Sequence, residues 1–237
     1  MKYRITCYLI IVSLLSLFTS VKSQEVYSTS GGEIIFSWPD VTMNTGSLDK
    51  SVRFTMFFNF GEYWNLDLNN NLGFFSGGTI RNVGMITNET LNNVDYKIIR
   101  RVYTLGVPLA LKLGSFNDNF FLFGGGEYEM AFRYKEKYWS NTFSRNGHKT
   151  KYTAWFGDQT PRFLPSLFAG IQFPGGIQLK FKYYLEDFLN NKYTNSDEVS
   201  DLTRYTKSQV FYFALSWHLK SNHVKQRINP NSTVTSL

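Results

Sequence analysis

The sequence predicts an all-β protein: a transmembrane, antiparallel, up-and-down β-barrel of about eight strands. Three observations carry that reading. Apolar residues recur at every second position over long stretches. Short turn-rich links alternate with long polar ones. An export-type start is followed by no apolar run long enough for a membrane helix.

Met1-Lys2-Tyr3-Arg4 is a short basic start, residues 5–18 form an apolar run, and Val21-Lys22-Ser23 offers a cleavage site before Gln24. The run is shorter than the ~20 residues a spanning helix needs. Residues 1–23 therefore read as a cleaved signal peptide, residues 24–219 as the barrel, and residues 220–237 as a polar, disordered C-terminal tail. The single cysteine, Cys7, lies inside the signal segment. That leaves the mature chain without a disulfide framework or a cysteine nucleophile. Losing Lys2, Arg4 and Lys22, which no acid balances, lowers the formal charge from +7 to +4. So mild an excess gives no reason to expect nucleic acid.

The strands come next. Tyr103, Leu105, Val107, Leu109, Leu111 and Leu113 alternate with Thr104, Gly106, Pro108, Ala110 and Lys112. Phe120, Leu122, Tyr128, Met130, Phe132 and Tyr134 share one phase; Glu127, Glu129 and Arg133 share the other. Ile177, Leu179, Phe181, Tyr183 and Leu185 alternate with Gln178, Lys180, Lys182 and Tyr184. Phe211, Phe213, Leu215, Trp217 and Leu219 alternate with Tyr212, Ala214, Ser216 and His218. Each is a strand with one face in an apolar environment. Weaker candidates are residues 34–38, 54–60, 163–173 and 72–86, the last with a phase that blurs at Gly77-Gly78 as a bulge would make it. Phe and Tyr together are too abundant for a soluble core of this size. The mean hydropathy of −0.25 is no objection, because alternation hides an apolar face from a window average.

The connections orient the barrel. Residues 114–118 and 174–176 are tight and rich in turn residues. Residues 136–161 and 189–207 are long and polar, and 39–51 and 87–95 fall on the same side. Short links suit the periplasmic end and long ones the outside. The link 61–71 should be short and is not, and Pro108 and Pro165 interrupt strands of a fold without edges, which suggests local bulges.

A secreted β-sandwich or lipocalin-like barrel would also alternate, but its polar face would carry many exposed charges. Here the polar phase is mostly small, as the inside of a narrow barrel requires. Arg101 and Tyr103 then mark the upper lipid edge, with Tyr128, Phe132 and Tyr134 at the same level on the next strand. Lys112, Glu127, Glu129, Arg133, Lys180 and Lys182 point inward as a lumen polar network. Charges in so narrow a space must pair, so they read as a salt-bridge plug rather than a selectivity gate.

The long outer loop interleaves cations with aromatics. Trp139, Arg145, Lys149, Lys151 and Trp155 are its surface-binding candidates, suited to lipopolysaccharide phosphates, a glycan or a protein. Ser144, His148 and Asp158 in that loop are the best hydrolase set available, but their spacing matches no catalytic motif. No phosphate loop, metal spacing or cofactor motif occurs. His218 reads as a hydrogen-bonding residue of the lumen.

The stretches Tyr63-Trp64-Asn65-Leu66-Asp67-Leu68-Asn69, Tyr103-Thr104-Leu105-Gly106-Val107-Pro108-Leu109-Ala110-Leu111-Lys112, Phe123-Gly124-Gly125-Gly126-Glu127-Tyr128-Glu129 and Phe168-Ala169-Gly170-Ile171-Gln172-Phe173-Pro174-Gly175-Gly176 resemble the outer-membrane β-barrel proteins common in the Bacteroidetes, over roughly residues 52–219. The resemblance implies a location more than a chemistry. Outer-membrane barrels commonly close with an aromatic-rich strand that the assembly machinery recognises, and residues 210–219 have that character. The expectation is a non-enzymatic barrel with a filled lumen, serving envelope structure or surface binding through its outer loops. A narrow porin and a rim hydrolase or lipid-modifying enzyme are the alternatives. Expected partners are outer-membrane lipids, the barrel-assembly machinery, and a glycan, lipopolysaccharide or protein at the loops.

Overall fold

A computed structural model describes residues 24–44 and 46–228. The predicted signal peptide and the end of the predicted tail lie outside the described residues. The described residues form eleven strands: β1 (Gln24–Met43), β2 (Ser47–Ser51), β3 (Arg53–Thr55), β4 (Phe60–Asp67), β5 (Leu72–Leu91), β6 (Val94–Ser115), β7 (Phe120–Ser140), β8 (Lys149–Trp155), β9 (Phe163–Gln172), β10 (Ile177–Tyr184) and β11 (Tyr205–Ile228).

All the pairings are antiparallel, and β11 pairs back onto β1, so the sheet closes. Pieces β2, β3 and β4 form one descending strand of the barrel. Its upper part pairs with β5 and its lower part with β1 and β5. β8 and β9 likewise succeed one another along β7. The result is a ring of eight. Below β2 and β8, which each pair on one side only, closure leaves the strands of the ring paired on both sides, as a chain facing lipid requires.

Turn chemistry fixes the register. Asn92 and Asn93 both take positive φ (47° and 63°) between β5 and β6, the geometry of a two-residue hairpin that asparagine tolerates. At the Pro174–Gly176 turn, Gly175 and Gly176 have φ of 85° and 89°, which only glycine adopts without strain. A Cβ on Gly176 would also stand 2.3 Å from the His218 backbone oxygen.

The two faces of the wall differ as the alternation predicts. On β6, Leu105, Val107, Leu109, Leu111 and Leu113 are exposed while Gly106, Ala110 and Lys112 between them are buried. Phe120, Leu122, Phe163, Leu167, Leu179 and Trp217 continue the exposed apolar belt around the ring. From Tyr103 to Leu113 the belt is about 25 Å tall at the usual rise and tilt, the height of a bilayer's apolar band. Closed ring and apolar belt together make the architecture of a transmembrane β-barrel. β5, β6 and β7, at 20, 22 and 21 residues, are twice the length needed to span. Their upper halves stand above the belt, flanked by β2 and β8.

Several expectations need correction. The strand assigned to residues 54–60 lies lower in the chain. Met56 to Phe58 protrude in a break that buried Asn59 closes, β4 is the strand, and the short link is residues 68–71. That removes the misfit at residues 61–71. No bulge occurs at Gly77-Gly78: β5 keeps its odd positions inward throughout, with an unbroken register to β4. The short candidate at 34–38 belongs to the 20-residue β1, and β11 runs on to Ile228, past the tail boundary set after Leu219. Pro108 and Pro165 sit in the ladder opposite Glu127 and Tyr128 with no register shift.

The bulge is elsewhere. Tyr103 faces Arg133 while Thr104 faces Ala131, so Phe132 is the extra residue. Two successive residues then point outward and the phase of β7 inverts above them. Arg133, assigned to the lumen network from its alternation, is therefore outside: its guanidinium lies 4.6 Å from the Trp155 ring centroid and 5.7 Å from that of Tyr103. Tyr134, assigned to the lipid edge, is inside and fully buried.

Candidate functional site

The lumen is filled by stacked layers, each built by side chains from several strands. At the short-turn end the Lys112 ammonium lies 2.5 Å from the Asp67 carboxylate and donates to Tyr27 Oη (3.1 Å) and Asn65 Oδ1 (3.0 Å). Above it Tyr63, Phe75, Ala110, Phe121, Phe123 and Phe168 form an aromatic layer. The His218 ring stacks on Tyr63 at 5.0 Å.

The middle layer holds three carboxylates and three cations. Arg81 Nε donates to Glu33 Oε2 (3.1 Å), and Arg81 Nη1 reaches Glu127 and Glu129. Lys182 bonds Glu127 Oε2 (2.7 Å) and Glu129. Lys180 bonds Glu33 Oε1 (2.5 Å). Tyr184 and Thr79 hydroxyls donate to Glu129 Oε2 (2.8 Å) and Glu127 Oε1 (2.5 Å). All six charged side chains are buried. A buried charge is tolerated when paired and hydrogen-bonded, and this layer is neutral as a whole.

An apolar layer follows, including Ile35, Met85, Tyr134, Leu164, Tyr184 and Tyr212. Residues Phe188, Leu189 and Leu202 of the loop between β10 and β11 pack into it from above. That loop, expected as a long link at the outer end, folds down as a cap. Arg100 ties it to the wall. Its Nε donates to Glu136 Oε2 (2.7 Å), Nη1 to Tyr205 Oη (2.6 Å) and Nη2 to the Val199 carbonyl (3.0 Å). Glu89 accepts from Arg100 Nη1 (3.3 Å), Arg204 Nε (3.1 Å) and Tyr205. This level lies above the belt. Burial raises the Glu89 carboxyl, but Arg100 and Arg204 outweigh that and hold it below the ordinary carboxylate value.

The structure thus places five residues of the sequence-derived network inside, and brings four of them, Glu127, Glu129, Lys180 and Lys182, into one layer; Lys112 is buried too but pairs separately with Asp67. The sequence reading missed Glu33 and Arg81, the middle of the network. Arg81 keeps the inward parity of Phe75 and Thr79, so the signal was present, but the supposed bulge at Gly77-Gly78 concealed it. Arg100, Glu136 and Glu89 were missed because they lie beyond the belt, where alternation is weaker, and on β7 the Phe132 bulge inverts it before Glu136.

Outside, Tyr103 and Tyr128 are on the outer face; Tyr128 is exposed and stacks on Phe163 at 5.2 Å. Tyr103 lies 6.1 Å from Phe58 and 6.3 Å from Phe132, and Arg101 sits just above it. Of the loop candidates, only Arg145 is in a loop. Lys149, Lys151 and Trp155 belong to β8, and Trp139 is in β7, buried against Ile86 and Ile99. Among the described residues no hydrogen bond joins the side chains of Ser144, His148 and Asp158. Ser144 Oγ instead pairs with Thr142 Oγ1 at 2.8 Å.

No family model and no curated protein matches the chain. Among solved structures it is similar to Ail, the attachment invasion locus protein of Yersinia pestis, in complex with the heparin analogue sucrose octasulfate. That match has 14% identity, 82% of this chain and 99% of that chain covered, and a TM-score of 0.36. It is also similar to neisserial surface protein A (9% identity, 83% and 97% covered, TM-score 0.35) and to the outer membrane protein OprG from Pseudomonas aeruginosa (8% identity, 82% and 96% covered, TM-score 0.35).

Proposed function

We propose that this protein is a closed, non-conducting barrel of a Gram-negative outer membrane. It is exported by a cleaved signal peptide over residues 1–23 and serves envelope structure and binding at its outer surface rather than catalysis. The single observation that carries the reading is the lumen. Five consecutive layers close it, and the charged ones are internally neutralised. A pore would need water-filled space and an unbalanced ring of charge, because ions pass only where a pathway stays hydrated. The exposed apolar belt around the same wall supports the membrane placement, and the aromatic strand β11 supplies a segment for the assembly machinery to recognise.

The experiment is single-channel recording of the refolded protein in planar bilayers, alongside gel mobility before and after boiling. A heat-dependent shift with no steady conductance is the expected pair of results. Steady unitary conductance overturns the plug, and a missing shift overturns the closed barrel.

A further inference from the structure

The cations of this protein fall into two populations. Those inside the wall, Arg81, Arg100, Lys112, Lys180 and Lys182, each lie within salt-bridge distance of a carboxylate. On the outer face above the belt, Lys207 pairs with Asp40 at 2.5 Å, whereas the cations of β6, β7 and β8 there have no carboxylate partner among the described residues. Register defines that face row by row. Tyr103, Arg133 and Trp155 are cross-strand neighbours on β6, β7 and β8, and above them come Arg101, Lys135 and Thr153. The next row is Ile99, Lys137 and Lys151, and the last is Lys97, Trp139 and Lys149. Seven of these twelve residues are cationic and none is acidic. Among the described residues, no ion pair reaches any of the seven.

So dense a one-sign face costs the folded protein electrostatic energy unless something neutralises it. Its members feel one another: partial burial, and then Arg101, Lys149, Lys135 and Lys151, push the Lys137 ammonium below the ordinary lysine value. Arg101 Nε and Arg133 Nε are buried donors with no partner, a state that proteins rarely leave uncompensated. Glu136 cannot help, because on β7 it points inward to Arg100.

We infer that this face of β6, β7 and β8 binds the phosphate groups of a multiply phosphorylated glycolipid of the outer leaflet, the chemical class of lipopolysaccharide. The assignment rests on the barrel spanning that membrane as proposed above. Position selects a lipid over a soluble polyanion. The rows continue the same outward face as Leu105 to Leu113, so they look sideways into the leaflet and not up into solvent. In the lowest row Tyr103 and Trp155 flank Arg133, and aromatics at that level are what a membrane interface favours. Arg101 and Lys135 stand about 5 Å above it and Lys137 and Lys151 about 10 Å, which is headgroup depth. Exposed Phe57 and Phe58 of the β3–β4 break protrude beside Tyr103 at the same level, where acyl chains meet headgroups. Guanidinium and ammonium groups in such an array match phosphate oxygens.

The test compares wild type with Lys135→Glu/Lys137→Glu/Lys151→Glu, both refolded in detergent and checked for the heat-dependent shift. Native mass spectrometry and the thermal unfolding midpoint are followed against lipopolysaccharide, dephosphorylated lipid A and a soluble sulfated oligosaccharide. Wild type should retain lipopolysaccharide and gain stability from it, and neither other probe should do the same. The triple variant should lose affinity about tenfold or more. If it does not fold, Lys137→Gln/Lys151→Gln is read the same way, with a smaller loss. Equal binding of dephosphorylated lipid, equal binding of the soluble polyanion, or a folded variant with wild-type affinity each overturns the inference. A conducting barrel would sink the plug and leave this result standing, so the two failures are distinguishable.

Discussion

Arg81 and Glu33 meet in the lumen, with Nε 3.1 Å from Oε2, although 48 positions separate them in the chain. The contact links β5 to β1, and Arg81 also reaches the β7 carboxylates Glu127 and Glu129. One guanidinium thus joins three strands of the ring.

Replacing it should be costly. Arg81→Met leaves three buried carboxylates facing two cations, and breaking a buried pair in this way costs about 3–5 kcal/mol. Urea unfolding in lipid vesicles should show that loss, and Arg81→Met/Glu33→Gln should recover part of it. A single variant as stable as wild type would mean that water already solvates these groups.

The cap should be separable from the plug. Arg100→Ala removes the bonds to Glu136, Tyr205 and the Val199 carbonyl. Limited proteolysis within residues 185–204 should accelerate by an order of magnitude or more, since local opening sets cleavage. Conductance should stay absent, because the layers around Arg81 and Phe75 are untouched. A variant that conducts would show that the cap alone closes the barrel.

Acid should loosen the same cap. Glu89 is held below the ordinary carboxylate value in the folded protein, so its contribution is fully present above the unfolded value of about 4.3. The contribution fades as pH falls through the lower, folded value. Cleavage of the cap by an acid-tolerant protease should therefore be constant from neutral pH down to about 5 and rise below about 4. Glu89→Gln should flatten that rise, and an unchanged profile would assign the acid response to other groups.

The belt offers a depth test. Leu109 is 65% exposed midway along the outward face of β6. Leu109→Arg should cost about 2–4 kcal/mol in a bilayer, and Tyr103→Arg at the rim only about 0–1 kcal/mol. Equal small costs at both positions, measured by unfolding from vesicles, would place water rather than lipid outside the wall.

Much of this was legible in the residues. The alternation on β6 and β10 showed which side chains face in, because successive side chains of a strand point to opposite faces. Lys112, Lys180 and Lys182 could be assigned to the lumen on that ground alone. Alternation misleads where parity breaks or where nothing local marks a strand. Phe132 is one inserted residue, and it turns Arg133 out and Tyr134 in; no feature of residues 128–136 announces it. Residues 54–60 alternate as well as β4 does, and only pairing with β1 and β5 decides that the ring continues through Phe60–Asp67.

By itself, then, the sequence determined the period and the apolar outward face, since both depend on near neighbours in the chain; the outer links it read as long at 39–51 and 87–95 are instead strand ends joined by short links at 44–46 and 92–93. The tertiary structure alone decided which charges meet, that the loop between β10 and β11 folds into the mouth, and that the outer cations stand in unpaired rows. Those relationships join residues tens to more than a hundred positions apart. They exist only once the ring has closed and the bulge at Phe132 has fixed which way the upper wall faces.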